Sequence, residues 1–287
     1  MSDQLRKLHL IQLEILKEID RICRQNGICY SLYAGTLLGA VRHQGFIPWD
    51  DDLDICMERS EYNRFLTAWE RCKPEGYLLQ NKENASRFTQ SFTKIRKDHT
   101  TFLQDRSEAC AYHTGIFVDI FPIDRMPEGR LRRAFFIWDC ARYQLYCREY
   151  VPSKGRTPVK ILASVLLLFS NEQTRRKKRE KLLGRICKDQ NHTHSSVAIE
   201  TLGTILMPLP ADLFDAYTVL PFEDATFMCF SCWDRYLKCK YGNYRKLPPE
   251  SERAWKHHPL ILDFDHNYEE LSAERRMAGV LPDGKVE

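Results

Sequence analysis

No stretch of the 287 residues reaches the roughly 18 consecutive apolar positions that a membrane-spanning helix needs. The nearest is the run from Ile161 to Phe169, so a soluble or peripheral protein is expected. The N-terminus, Met1 to Asp20, lacks the apolar centre of a secretory leader and is amphipathic and charged, which points to the cytoplasm. An excess of either charge is also missing. The 43 Lys and Arg and 39 Asp and Glu leave a net +4, which argues against a dedicated nucleic-acid binder. Internal repeats and low-complexity segments are absent. Cysteines are present, but their number, 11, is odd, so reduced and mostly buried thiols are expected rather than a disulfide framework. Cys229-x-x-Cys232 with Cys239 nearby suggests zinc, but a fourth ligand at convincing spacing is lacking.

Composition is otherwise that of a globular protein, with 43% hydrophobic and 29% charged residues. Apolar spacing predicts a helix over Gln4–Arg24, closed by Asn26-Gly27. A strand is predicted over Ile28–Tyr33, a turn into a short helix over Gly35–Arg42, a second strand over Asp52–Met57 and a helix over Glu61–Cys72. Further strands are predicted at Tyr77–Gln80, Phe92–Lys97, Thr101–Leu103 and Ile116–Phe121, the last stopped by Pro122. Leu131–Glu149 reads as an aromatic-rich helix and Pro152–Pro158 as a linker. Val159–Asp189 reads as a helix or helix pair, apolar first and then strongly basic, and Asn191–Ser196 as a loop. Sheet and helix return over Leu213–Tyr241, a loop starts at Pro248-Pro249, and the last fifteen residues read as poorly ordered. Strands mixed with helices in this order imply an α/β or α+β sheet domain.

The sharpest chemical feature is Pro48-Trp49-Asp50-Asp51-Asp52-Leu53-Asp54-Ile55. If the strand begins early enough, alternation puts Asp50, Asp52 and Asp54 on one side and Leu53 and Ile55 on the other. Carboxylates that close raise one another's pKa and need compensation. An oxygen-only ligand set suits Mg²⁺ or Mn²⁺, and such ions serve phosphoryl chemistry. A solvated acidic turn is the alternative. Upstream, Gly35-Thr36 opens a helix after a strand, an arrangement that lets backbone amides approach a phosphate. Downstream, Asp119 interrupts the apolar strand Ile116–Phe121. It is a third ligand, a general base for an acceptor hydroxyl or half of a structural salt bridge. Asp124 reads as a turn cap.

Lys94 and Arg96 share a strand face and suit a donor's phosphates, as do Arg42 and His43, with ordinary surface charge as the alternative. Trp255-Lys256-His257-His258-Pro259 offers two histidines for phosphate contact or proton transfer, or a surface loop. Tyr241-Gly242-Asn243-Tyr244 with Lys246 lies just upstream. The apolar-then-basic stretch Val159–Arg179 suits either peripheral membrane contact or a packed helix with a solvated basic end.

Tyr33-Ala34-Gly35-Thr36-Leu37-Leu38-Gly39-Ala40-Val41-Arg42 followed by Gly45-Phe46-Ile47-Pro48-Trp49-Asp50-Asp51-Asp52-Leu53-Asp54 resembles the LicD family. That family includes bacterial phosphorylcholine transferases and is related to the fukutin proteins. Lys94-Ile95-Arg96, Phe117-Val118-Asp119-Ile120-Phe121-Pro122-Ile123-Asp124, and Tyr241–Pro249 with His257-His258 resemble further blocks. The likeness runs from about residue 8 to about 265 and is weak over roughly 125–215.

The resemblance implies an α+β fold: a nucleotidyltransferase-like mixed sheet flanked by helices, with a helical middle and C-terminal region. It implies a single LicD-like domain over 1–287, with a core at about 8–125, a helical insertion at about 130–215 and a C-terminal part of the catalytic region at about 216–270. It assigns Asp52, Asp54 and Asp119 as catalytic metal ligands, with Asp50 as ligand or support. Gly35 and Thr36 match the glycine-led turn. Donor phosphates would be met by Gly35, Thr36, Arg42, Lys94, Arg96, His257 and His258. The implied reaction is Mg²⁺- or Mn²⁺-dependent transfer of a phosphoalcohol, phosphocholine first, from a CDP-activated donor. The acceptor would be a hydroxyl of a glycan, teichoic acid or lipid-linked precursor, with CMP released. Nucleotidyl transfer and a non-catalytic glycan- or membrane-binding role are the alternatives. The expected location is the cytoplasm, including the inner face of the plasma membrane.

Overall fold

The computed structural model of the chain describes residues 3–85, 87–104, 112–148, 157–188, 197–200 and 208–277. Helix α1 (Asp3–Gln25) opens the fold, and Leu8, Ile15, Leu16, Ile19 and Ile22 on its apolar stripe are buried. It stops as the sequence predicts. Gly27 takes φ 57°, and the Ile28 amide reaches back to the Cys23 carbonyl at 2.9 Å, satisfying a last-turn acceptor. Then come β1 (Ser31–Leu32), α2 (Ala34–His43), β2 (Asp54–Glu58), α3 (Arg59–Cys72), β3 (Tyr77–Gln80), β4 (Thr93–Lys97), β5 (Thr101–Leu103) and β6 (Phe117–Arg125). Helices α4 (Arg130–Tyr146), α5 (Thr157–Phe169) and α6 (Glu172–Lys188) follow. The chain continues through β7 (Val197–Glu200), β8 (Leu209–Pro210), β9 (Tyr217–Phe222), β10 (Ala225–Phe230), α7 (Trp233–Tyr241), β11 (Ile261–Asp263) and α8 (Ala273–Met277).

The main sheet runs β1-β2-β6-β4-β3, with β7 and β8 added beyond β6. Among the described strands only β2 and β6 pair in parallel, so the sheet is mixed and the class is α+β. Helices α1 and α3 pack on it, over a core that includes Ile55, Ile95, Val118 and Ile120. Two smaller pairs complete the fold. β9 and β10 form a hairpin, and β11 returns the C-terminal region to β5.

Several expectations need correction. β1 keeps only two residues of the predicted strand. Pro122 does not end β6, which runs on to Arg125. On that edge β4 pairs only as far as Ile120 and β7 starts at Ile123, so Pro122 sits where a missing N–H removes no registered partner. The helical insertion expected at about 130–215 holds, among its described residues, α4 to α6 but also β7 and β8, which extend the sheet. Of the helix or helix pair expected over Val159–Asp189, the pair is what forms. They break at Ser170-Asn171, where the Asn171 side chain accepts the Thr174 amide at 2.9 Å and so caps α6. Of the basic run, Arg175 and Arg179 are buried. Arg179 spans from the Tyr146 carbonyl (2.9 Å) to Glu172 (2.7 Å) and ties α6 to the end of α4. Asp124 caps no turn. It makes a fully buried, two-pronged ion pair with Arg59 at 2.9 and 2.6 Å. Of the C-terminal tail expected to be poorly ordered, Ala273–Met277 is helical. The remainder of the tail, the Asn191–Ser196 loop and most of the 152–158 linker lie outside the described residues.

Candidate active site

Strand β2 starts at Asp54, so Asp50, Asp51 and Asp52 lie in the preceding loop, and strand alternation does not gather them. Hydrogen bonds from distant elements do. On α1, His9 Nε2 donates to the Asp50 carbonyl at 2.6 Å and Gln12 Nε2 donates to the Asp51 carbonyl at 3.0 Å. A carbonyl only accepts, so the proton of His9 sits on Nε2. Burial holds the His9 pKa below its ordinary value, and the neutral ring stacks on Phe46 at 4.0 Å. Thr36 Oγ1 accepts the Asp54 amide at 2.8 Å, and the Leu53 carbonyl accepts the Asp119 amide at 3.0 Å. A Cβ on Gly35 would overlap the Asp50 carboxylate, so glycine is what lets that side chain lie against the start of α2.

Across the sheet, register alone builds a row. Asp54 of β2 stands opposite Asp119 of β6, Asp119 opposite Lys94 of β4, and Lys94 opposite Gln80 of β3. Register partners share a sheet face, so these side chains line one surface. Lys94 Nζ lies 2.6 Å from Asp119 and 3.3 Å from the centre of the Phe117 ring. Arg96, two residues along the same face, is buried. Its Nε donates to Gln80 and its Nη1 to the Gly115 carbonyl, at 2.6 and 2.7 Å.

The C-terminal region closes over the loop. Lys256 Nζ reaches Asp50 at 2.9 Å. Asp51, buried, accepts the amides of Lys256 (3.3 Å) and His257 (2.8 Å) and faces His257 Nδ1 at 3.3 Å. His257 Nδ1 is also 3.7 Å from Asp52. Burial works against the Asp51 charge, but the bonds from His257 and Lys256 outweigh it and hold its pKa below the ordinary value. The bond to Asp51 in turn raises the His257 pKa, against burial and with help from Asp52.

The other carboxylates go the opposite way. Asp50 is pushed up to about 6, by burial first and by Asp52 next, against the pull of Lys256. Burial raises Asp52, opposed by Lys256 and His257. Asp54 is raised well above the ordinary range by burial and by the charges of Asp52, Asp119 and Asp50. Four carboxylates thus face one another with too little positive charge to balance them, and every donor atom is oxygen. That fits a hard divalent cation such as Mg²⁺ or Mn²⁺. Among the described residues, ligand atoms lie within 4.8 Å of one another in the group Asp50, Asp51 and Asp52. Asp51 is already committed to residues 256 and 257. Asp54 and Asp119 lie outside that group and face each other across the parallel pair β2 and β6.

The structure therefore brings together Asp50, Asp52, Asp54, Asp119, Gly35, Thr36, Lys94 and His257. Arg42 lies at the rim, part-buried, with Nη1 on the Tyr244 carbonyl at 3.1 Å. The Thr36 hydroxyl is engaged by the Asp54 amide, and Arg96 is buried on the same face, engaged by Gln80 and the Gly115 carbonyl. His258 is exposed. Cys229 is buried in β10, Cys232 is half-buried before α7, and Cys239 is exposed on α7. Sequence reasoning missed His9, Gln12, Asp51 and Lys256 as builders of the site. The signal for the first two was available: both are polar positions on the apolar stripe of α1. Lys240, on α7, is another omission. Its ammonium sits 4.6 Å over Tyr33 and acts to lower the Asp54 pKa.

Residues 27–152 match the family model described as LicD/FKTN/FKRP, nucleotidyltransferase domain. That span contains the loop, the Asp54–Asp119–Lys94 row and α2. Over 272 residues the chain is 29% identical to the lipopolysaccharide cholinephosphotransferase LicD of Haemophilus influenzae, a match covering 88% of this chain and 96% of that protein. Over 146 residues it is 55% identical to an uncharacterized protein of Rickettsia prowazekii, covering 44% of this chain and 54% of that one.

Proposed function

We propose that the chain is a LicD-family enzyme that transfers a phosphoalcohol, phosphocholine first, from a CDP-activated donor to a hydroxyl of a cell-surface glycan, teichoic acid or lipid-linked precursor. The observation that carries this reading is the facing set of Asp50, Asp52, Asp54 and Asp119 beside Lys94, inside the matched span, in a chain similar along most of its length to a cholinephosphotransferase. The mixed sheet with Asp54 and Asp119 on adjacent parallel strands is read as a nucleotidyltransferase-like fold, and the chain as one LicD-like unit.

Asp52, Asp54 and Asp119, with Asp50 in support, would hold one or two Mg²⁺ or Mn²⁺ ions. When bound, these neutralise phosphate charge and polarise the phosphorus. Lys94, Arg42 and His257 bind the donor's pyrophosphate, with the raised His257 pKa favouring its cationic form. The acceptor oxygen forms a bond to the phosphorus that carries the alcohol, the bond from that phosphorus to the CMP oxygen breaks, and CMP leaves with the electron pair. The acceptor's proton passes to a carboxylate. Asp119 or Asp50 is the carboxylate that takes it. Lys256, tethered to Asp50 from an exposed position, can follow the phosphate as charge builds on the leaving oxygen.

The test is product analysis with CDP-choline, CDP-ribitol and CDP-glycerol, each with Mg²⁺ and with EDTA, in the presence of glycan and lipid-linked acceptors. Metal-dependent release of CMP with one donor supports the proposal and identifies the transferred group. Release of pyrophosphate from a nucleoside triphosphate would instead support nucleotidyl transfer, a reading favoured by the name of the matching domain. Absence of any metal-dependent nucleotide binding would favour a non-catalytic role.

A further inference from the structure

Within the stretch 126–188 the described residues leave the sheet as a helical excursion with its own small core, in which Phe136, Cys140 and Tyr143 of α4 pack against Leu182 and Ile186 of α6. The opposite side of α4 is uncovered. Leu131, Phe135 and Trp138 recur at helical spacing and are 77, 70 and 62% exposed. Helix α5 is more extreme, with Ile161, Val165, Leu168 and Phe169 all exposed, the last two at 78 and 84%. These seven account for most of the 12 large apolar side chains exposed among the described residues. Single exposed apolar residues need no explanation, but concentration in one excursion marks a surface built to meet something.

Charge says what. The excursion carries 16 Lys and Arg against 5 Asp and Glu, whereas the whole chain carries 43 against 39, so the remainder of the chain is net acidic. Some of these cations are internal: Arg175 and Arg179 are buried, and Arg142 and Arg185 share Asp139. Arg130 and Arg132 flank Leu131 on α4, and Arg176, Lys177, Lys178 and Lys181 stand exposed on α6, directly after α5. Helix α5, at 13 residues, is about 20 Å long, short of the roughly 30 Å hydrocarbon thickness, and no described helix is long and apolar enough to cross a membrane.

We propose that this excursion docks the protein on an anionic lipid bilayer, with the apolar side chains of α4 and α5 entering the boundary between headgroups and acyl chains and the exposed cations meeting lipid phosphates. A second copy of the chain is the poorer occupant, because it would set two strongly basic excursions against each other. The proposal uses none of the carboxylate cluster and stands or falls independently of the proposed reaction.

The experiment is flotation of the full chain with phosphatidylcholine vesicles, with and without phosphatidylglycerol. Binding is expected only to the anionic vesicles and should weaken as salt rises. Phe135→Ser with Trp138→Ser, or Leu168→Ser with Phe169→Ser, should lower partitioning by about tenfold or more. Lys177→Glu with Lys178→Glu should lower it by at least about fivefold. Thermal melts show that each variant is folded, and an independent readout starts from the wild-type chain: brominated lipid should quench its tryptophan emission, and the conservative Trp138→Phe should remove part of that quenching. Failure of the wild type to bind anionic vesicles overturns the proposal, as does equal binding by both apolar double variants. A wild-type dimer that ignores vesicles and dissociates on Phe135→Ser with Trp138→Ser overturns it in favour of self-association.

Discussion

The sheet and the helical excursion treat the same residue types in opposite ways. Around β2 and β6, charged groups are drawn inward and tied: Asp51 to residues 256 and 257, Asp119 to Lys94, Asp124 to Arg59. In the excursion, cations and large apolar side chains are both exposed. A buried charge is costly unless paired, and an exposed hydrophobe forgoes burial free energy. Each region therefore carries groups that folding alone would not select. In the first they concentrate negative charge at one point, and in the second they form a surface.

The largest effect should come from breaking that concentration. Asp52→Asn is expected to lower transfer by about a thousandfold or more. Thermal stability in EDTA should hold or rise, because one of the carboxylates that Asp54 opposes is neutralised. Single-turnover CMP release and a melt in EDTA check both halves. Undiminished turnover would remove Asp52 from the site. Next comes the ion pair beneath. Asp124→Ala leaves Arg59 buried without its partner and should cost roughly 3–5 kcal/mol in urea unfolding. A loss under about 1 kcal/mol would mean that Arg59 finds water or another acceptor.

The contrast also explains what could be read from the chain. Helix α1, its glycine stop, α3 and β3 to β6 were legible, because hydrophobic period and turn residues are local signals. The family blocks located Asp50, Asp52, Asp54, Asp119 and Lys94. The means by which they meet was not legible. Alternation was the wrong reason for the Asp50–Asp54 grouping, since the strand starts only at Asp54 and the loop is held by His9 and Gln12, some 40 positions away. Asp51 looked like one more acid of the run, because its partners at 256 and 257 are contacts that no spacing reveals. Pro122 misled for the same reason: whether a strand tolerates proline depends on what lies beside it. Arg175 and Arg179 belong to a basic run that reads as membrane-facing or solvated charge, and only the packing of α6 on α4 shows these two to be ties.

A gentler perturbation of the cluster uses pH. The folded-state pKa of Asp50, about 6, lies above the ordinary value of 3.8. A carboxyl raised on folding adds no penalty at low pH, where both states are protonated. The penalty opens as pH rises above about 4 and is complete above about 6. In EDTA, the stability advantage of Asp50→Asn over wild type should therefore be small at pH 4 and reach its plateau by pH 7. A difference that does not vary with pH would place the Asp50 titration elsewhere.

The smallest effect is the most diagnostic for the excursion. Phe135 and Phe136 are neighbours on α4, one 70% and the other 7% exposed. Replacing Phe136 by serine empties the small core between α4 and α6 and should cost about 3–5 kcal/mol wherever that core unfolds with the rest. Replacing Phe135 by serine should change stability by no more than about 0.5 kcal/mol, as for an ordinary surface position. If Phe135 proves as costly as its neighbour, α4 is covered in solution by some other part of this chain or by a second copy, and its outer face is core. If it costs nothing and vesicle binding falls, stability cannot be the reason for a phenylalanine there, and the side chain is retained for what it meets outside the fold.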